Sequence, residues 1–246
     1  MSINRRNFLK ASVAVSTASL INVQAFADNR TQMHSLAKGA KILFQGDSIT
    51  DGGRSRNQDW NHVMGHGYAF IVASRLGFEK PDMNYRFFNR GVSGNTVPDL
   101  AARWQADTLD LAPDILSILV GVNDTSAEIE AKSGFSRKSF KTDYQNLLSA
   151  TKDKHPQVKL IIGEPFILPV GKIKANWSKW HEQISGRQED AKNLAKEFDA
   201  TFIPFQSHFN DCLKQAPAEY WIWDGVHPMP AGHELMARKW IEAVNF

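Results

Sequence analysis

The chain has 246 residues, 42% of them hydrophobic and 22% charged, which suits one globular domain with a full core. Its formal charge of +3 disappears once Arg5, Arg6 and Lys10 are set aside, because the remaining lysines and arginines equal the 26 acidic residues. That balance argues against a nucleic-acid or anionic-membrane partner, and the single cysteine, Cys212, excludes an internal disulfide framework and a multi-cysteine metal site.

The first segment reads as an address. Asn4, Arg5, Arg6, Asn7, Phe8, Leu9 and Lys10 precede a mildly apolar run over 11–23, then Ala25-Phe26-Ala27. A basic start, a short apolar stretch and an Ala-x-Ala exit describe a cleaved export signal, and the paired arginines specify the twin-arginine route. The run is too short and too rich in Ser and Thr to span a membrane. Residues 1–27 are therefore expected to be removed. Residues 28–246 are expected to form a single domain in the periplasm or outside the cell, with no membrane attachment in the mature form.

Apolar runs at 41–45, 85–89, 115–122, 159–162 and 201–205 predict five strands, and their near-continuous hydrophobicity predicts a parallel sheet covered on both faces. Helical patterns at 68–76, 97–109, 139–154, 180–198 and 231–244 alternate with them, and Pro230 suits the first turn of the last helix. This alternation predicts a three-layer α/β/α sandwich. In such sheets ligands bind beyond the carboxyl ends of the strands. Ser48 follows the first predicted strand, Gly94 the second and Asn123 the third, so chain order alone sends all three to one edge.

Those residues have complementary chemistry. Ser48 is the candidate nucleophile, and Asp47 before it reads as a turn or helix cap. His227 is the candidate base and Asp224 its orienter, three residues apart in a loop, with Pro228 disfavouring helical geometry at His227. The backbone N–H groups of Ser48 and Gly94 and the side-chain amide of Asn123 are the candidate oxyanion donors. Without the second glycine of Gly-x-Ser-x-Gly, a nucleophile elbow is not indicated. Singly, each residue reads as well as a cap, a turn glycine or a loop asparagine; the joint placement favours chemistry.

The fragments Gly46-Asp47-Ser48-Ile49-Thr50, Ser93-Gly94-Asn95-Thr96, Gly121-Val122-Asn123-Asp124 and Asp224-Gly225-Val226-His227-Pro228 resemble, in order, the blocks of the SGNH (GDSL) hydrolases. Ser48, Gly94, Asn123 and the pair Asp224 and His227 fall on the family's serine, glycine, asparagine and Asp/His positions. The resemblance implies a flavodoxin-like sandwich with five parallel strands and an acyl-enzyme mechanism with no metal or other cofactor. A narrower similarity links Asp51, Gly67-Tyr68, Val97 and Trp223 with these blocks to bacterial acetylxylan esterases, which implies an acetylated carbohydrate substrate. Pro98 stands where those relatives often have arginine, and the export signal sets this chain apart from them; both bear on the sugar and not on the chemistry.

Other residues are ambiguous. Trp223 and Asn95 are candidates for the substrate pocket, although Trp223 suits core packing equally and Trp221 suits it better. Arg54 and Arg56 read as part of a solvated loop. His62 and His66, four apart, could share a helical face but have no further ligand at metal spacing. His233 reads as a packing or helix-surface residue. Trp177 and Trp180 suit a lid-like segment and core packing equally. A longer-chain lysophospholipase or thioesterase, and a non-catalytic sugar-binding protein, remain alternatives. The oligomeric state, homo-oligomers included, is left open.

Overall fold

The computed structural model describes residues 36–57 and 59–245. The expected export signal at 1–27 lies outside the described residues. Five strands, β1 (Lys41–Gly46), β2 (Arg86–Asn89), β3 (Ile115–Leu119), β4 (Lys159–Gly163) and β5 (Thr201–Ile203), form one parallel sheet in the order β2-β1-β3-β4-β5. Helices α1 (Ser48–Asp51), α2 (Tyr68–Glu79), α3 (Val97–Trp104), α4 (Val122–Ile129), α5 (Arg137–Lys154), α6 (Gly171–Lys174), α7 (Trp177–Glu197), α8 (Phe205–Cys212), α9 (Ala218–Trp221) and α10 (Pro230–Val244) follow in chain order. This is the three-layer sandwich that the sequence pattern predicts, with the flavodoxin-like arrangement that the family resemblance implies.

Side chains alternate across the sheet, so each strand feeds two cores. Ile42 and Phe44 of β1 join Tyr68, Val72 and Leu76 of α2 and Met236 and Trp240 of α10 on one face. Leu43 joins Val97, Leu100 and Trp104 of α3 and Tyr144, Leu147 and Leu148 of α5 on the other. Both faces are covered, and apart from Ser117 the polar strand residues, such as Lys41, Gln45, Arg86, Asn89, Lys159 and Thr201, stand at or next to strand ends.

The chain leaves β1 for β2 on one side and crosses to β3 on the other. The carboxyl ends of β1 and β3 therefore border the point where the strand order reverses. There Gly46 pairs with Leu119. A Cβ on Gly46 would stand 2.2 Å from the Leu119 carbonyl oxygen and 2.6 Å from Thr50 Oγ1, so only glycine lets α1 turn off the strand at this place.

Several boundaries differ from expectation; the fifth strand ends at Ile203 rather than at 205, where α8 begins, and two other differences border the site. The third strand ends at Leu119 rather than at 122. Val120 and Val122 stay buried beyond the sheet edge, so hydropathy does not mark the stop, and α4 begins at Val122. The helix expected over 97–109 widens into a π-helical turn at Gln105–Leu109. That turn aims the Asp107 carbonyl and the Thr108 hydroxyl at the Gln45 amide, 3.1 and 2.7 Å away, and so ties the end of the helix to the end of β1.

Candidate active site

Ser48 opens α1. Asp47 caps that helix by accepting the Ile49 N–H at 3.0 Å, the capping role its position suggests. The Ser48 N–H lies in the first turn, where no intrahelical acceptor exists.

Asp224 and His227 sit in the turn before α10. An antiparallel bridge between Ile222 and Pro228 closes the turn, and Pro230 begins the helix. Asp224 Oδ1 accepts the N–H groups of Val226 (3.0 Å) and His227 (2.8 Å). Its Oδ2 lies 2.8 Å from His227 Nδ1, and His227 Nε2 lies 2.7 Å from Ser48 Oγ. An ionised carboxylate only accepts, so Nδ1 donates to it and Nε2 is left to accept the serine proton. Burial raises the Asp224 pKa, but the hydrogen bonds from the His227 backbone and ring and from Val226 outweigh it, and the carboxyl stays below its ordinary value. Lys172 Nζ on α6 stands 3.6 Å from the same oxygen.

The second strand delivers the Val92-Ser93-Gly94-Asn95 loop. Gly94 has φ +83, a left-handed value that favours glycine, and a Cβ there would meet open space. Its N–H has no acceptor among the described residues. Asn123 lies in the first turn of α4, not in a loop, and gives one Nδ2 hydrogen to the Asn95 carbonyl at 3.0 Å. An amide has two such hydrogens, so one remains. Three unspent donors thus belong to residues that follow adjacent strand ends.

Several supports carry no motif. Asp51 is buried; it accepts the Ser93 N–H (3.0 Å) and hydroxyl (3.2 Å), the Arg54 N–H (3.1 Å) and a two-pronged Arg56 guanidinium. Burial pushes the Asp51 carboxyl up, yet Arg56 and the backbone donors hold it below its usual value. Arg103 binds Asn95 Oδ1 (2.8 Å), Gln45 Oε1 (3.0 Å), the Arg90 carbonyl (2.8 Å) and Asp107 (2.9 Å). Asn95 is therefore held by protein at both its side-chain and main-chain oxygens. Asp124 accepts the Val97 N–H at 3.0 Å and joins the start of α3 to the start of α4. Asp51 and Asp124 stand inside or beside the motif fragments, a signal that could have exposed them; Arg103 and Lys172 had none.

The ambiguous residues separate. Trp223 is 61% exposed, and its ring stacks on His227 with centroids 6.1 Å apart, so it packs no core. Trp221 does pack against the core. Trp180 is buried, and Trp177 packs beside it at the start of α7, so both serve packing. His62 pairs with Asp59 at 2.5 Å in a run of turns, and so shares no helical face with His66. His233 is a packing residue whose Nδ1 accepts the Tyr68 N–H at 3.1 Å. Arg54 is half-buried with its Nε on the Gly91 carbonyl, contrary to the solvated-loop reading, whereas Arg56 is exposed on that loop and reaches back to Asp51.

Fold and site together place the protein among the carboxylic ester hydrolases. The chain belongs to the GDSL-like lipase/acylhydrolase family, whose profile matches residues 44–235. It is 34% identical to an acetylxylan esterase of Geobacillus stearothermophilus over 215 residues, 86% of this chain and 96% of that protein. The solved structure of the acetylxylan esterase Axe2 from Geobacillus stearothermophilus superposes with a TM-score of 0.76 at 30% identity, covering 87% of this chain and 97% of the other. A GDSL-like lipase candidate from Parabacteroides merdae ATCC 43184 superposes with a TM-score of 0.82 at 41% identity, covering 86% of this chain and 98% of its own.

Proposed function

We propose that this protein is an exported O-acetylesterase acting on acetylated xylo-oligosaccharides. The observation that carries the reading is the Ser48–His227–Asp224 line, with the Gly94 N–H and one Asn123 amide hydrogen left without an acceptor among the described residues. Ser48 Oγ attacks the acetyl carbonyl while its proton passes to His227 Nε2. The carbonyl oxygen becomes an oxyanion, received by the N–H groups of Ser48 and Gly94 and the free Asn123 hydrogen. The tetrahedral adduct collapses, and the departing sugar oxygen takes the proton back from Nε2. Water then gives a proton to Nε2 and attacks the acetyl-serine; acetate leaves as Ser48 Oγ recovers the proton. Asp224 keeps the Nδ1–H tautomer throughout.

The substrate rests on likeness. The acetylxylan esterase matches nearly end to end. Structures of that relative described as catalytic mutants replace a serine, an aspartate and a histidine, the last two spaced three apart as Asp224 and His227 are. Trp223 beside His227 offers an exposed ring on which a sugar face stacks. Export through the paired arginines at 5 and 6 is part of the same proposal; replacing both with lysine should leave the protein in the cytoplasm on fractionation.

The test is acetate release by residues 28–246 from acetylated xylo-oligosaccharides, acetylated pectin fragments, acetylated sialic acid and lysophospholipid (fatty-acid release in the last). Preference for the xylo-oligosaccharide is expected. Activity on another sugar alone would move the substrate and keep the reaction. Activity on the lipid alone would replace the proposal with a longer-chain acylhydrolase.

A further inference from the structure

Two arginines beside the Ser93-Gly94 loop hold hydrogen-bond donors that the protein does not use. Arg54 is half-buried; its backbone N–H binds Asp51, and its Nε donates to the Gly91 carbonyl at 2.9 Å. Those two bonds set its guanidinium against the chain leading into Gly94. Neither of its Nη groups has an acceptor among the described residues. Arg90, one residue before Gly91, makes no side-chain hydrogen bond there either. Its Nε is buried without a hydrogen-bond acceptor, and it forms an ion pair with Asp107 Oδ1 at 3.7 Å.

The neighbouring cations behave differently. Arg56 is spent on Asp51, and Arg103 is spent on Asn95, Gln45, the Arg90 carbonyl and Asp107. Asp51 is thus already claimed, and Asp107 is shared, its Oδ2 with Arg103 and its Oδ1 in the longer ion pair with Arg90. Arg54 lies close enough to Arg56 and Arg90 for each to repel its charge, and burial with that repulsion lowers its pKa to about 10. The Nη groups of both side chains stay open to solvent, and an anion with two oxygens would offset the repulsion among the clustered charges. The planar fork of donors on arginine matches a carboxylate.

We infer that Arg54 and Arg90 form a subsite for a carboxylate carried by the substrate, that is, a uronic acid unit near the acetylated sugar. The inference deepens the carbohydrate-ester reading and rests on it for the identity of the ligand. It makes the enzyme selective for acidic, branched or oxidised oligosaccharides over neutral ones, through residues that take no part in the acyl transfer.

The test is binding, not turnover. A uronate-bearing xylo-oligosaccharide and a neutral one of equal length, both without acetyl groups, are titrated calorimetrically into the folded enzyme. The uronate compound should bind about tenfold tighter, the worth of one or two charge-assisted hydrogen bonds. The ratio should fall as sodium chloride rises, and Arg54→Gln and Arg90→Gln should each bring it towards one. Because the ratio is taken within each variant, a general loss of folded protein does not imitate the effect. Equal affinities in the wild type, a ratio indifferent to salt, or a ratio kept in both variants would overturn the subsite. Acetate release is measured separately. Its absence from sugars with the uronate preference intact would count against the esterase substrate and not against the anion site.

Discussion

At the scale of single residues, Asp224 divides its work between two oxygens. One holds the turn by accepting from the Val226 and His227 backbones; the other holds the imidazole. Asp224→Asn can keep the first task, but its amide hydrogens favour the wrong tautomer of His227. Turnover is expected to fall by about three to four powers of ten with little change in melting temperature. Ser48→Ala should leave no burst of acyl-enzyme and no labelling by a serine-directed reagent; a rate near wild type would remove Ser48 from the nucleophile role. His233 carries a different prediction. Burial, aided by repulsion from His66 and His227, lowers its pKa from 6.5 to about 4. Between those values the unfolded chain binds a proton that the folded chain refuses. Stability is therefore complete above about 6.5 and declines as pH falls towards 4. Thermal melts from pH 4 to 7 should show that slope, and His233→Gln should flatten it.

At the scale of elements, the site depends on loops pinned to one another. Asp51 ends α1 and accepts from Ser93, Arg54 and Arg56, so the serine helix, the Gly94 loop and the loop after α1 share one carboxylate. Asn89 at the end of β2 adds bonds from its amide to the Thr50 carbonyl (2.7 Å) and the Met64 carbonyl (2.9 Å). Asp51→Ala leaves a two-pronged arginine and two serine donors without an acceptor. It should cost about 2–4 kcal/mol of stability. It should also lower kcat/KM by roughly one to two powers of ten as Gly94 loses its placement. Equal kcat/KM in the folded fraction would mean that the loop holds its shape without Asp51. The four-residue helices α1, α6 and α9 escape periodicity because they are about one turn long, and a turn has no repeat to detect. The end of β3 escapes it because Val120 and Val122 remain buried past the sheet.

At the scale of the whole molecule, the turn bearing Asp224 and His227 reaches Ser48 because α10 packs back across the sheet. Trp240 anchors that return: it is fully buried, lies 5.3 Å from the Phe44 ring, and donates its indole N–H to Ser117 Oγ at 2.9 Å. Trp240→Ala should cost about 3–5 kcal/mol in denaturant unfolding, and Trp240→Phe less. A loss under about 1 kcal/mol would show that α10 is held by its other contacts. The sandwich itself, the common edge and the meeting of Ser48 with His227 and Asp224 could be read from the chain. Five buried strands in alternation with helices admit few topologies, and residues that directly follow parallel strands must emerge at the same end. Only the tertiary structure decided that Trp223 lies open on His227 while Trp221 packs, since hydropathy treats two tryptophans alike. Only it decided that Asp51, Arg103 and Asp124 brace the donors, and that the Arg54 Nη groups and the Arg90 guanidinium have no hydrogen-bond acceptor among the described residues. A hydrogen bond depends on distance and direction between groups far apart in sequence, and only the folded chain sets those.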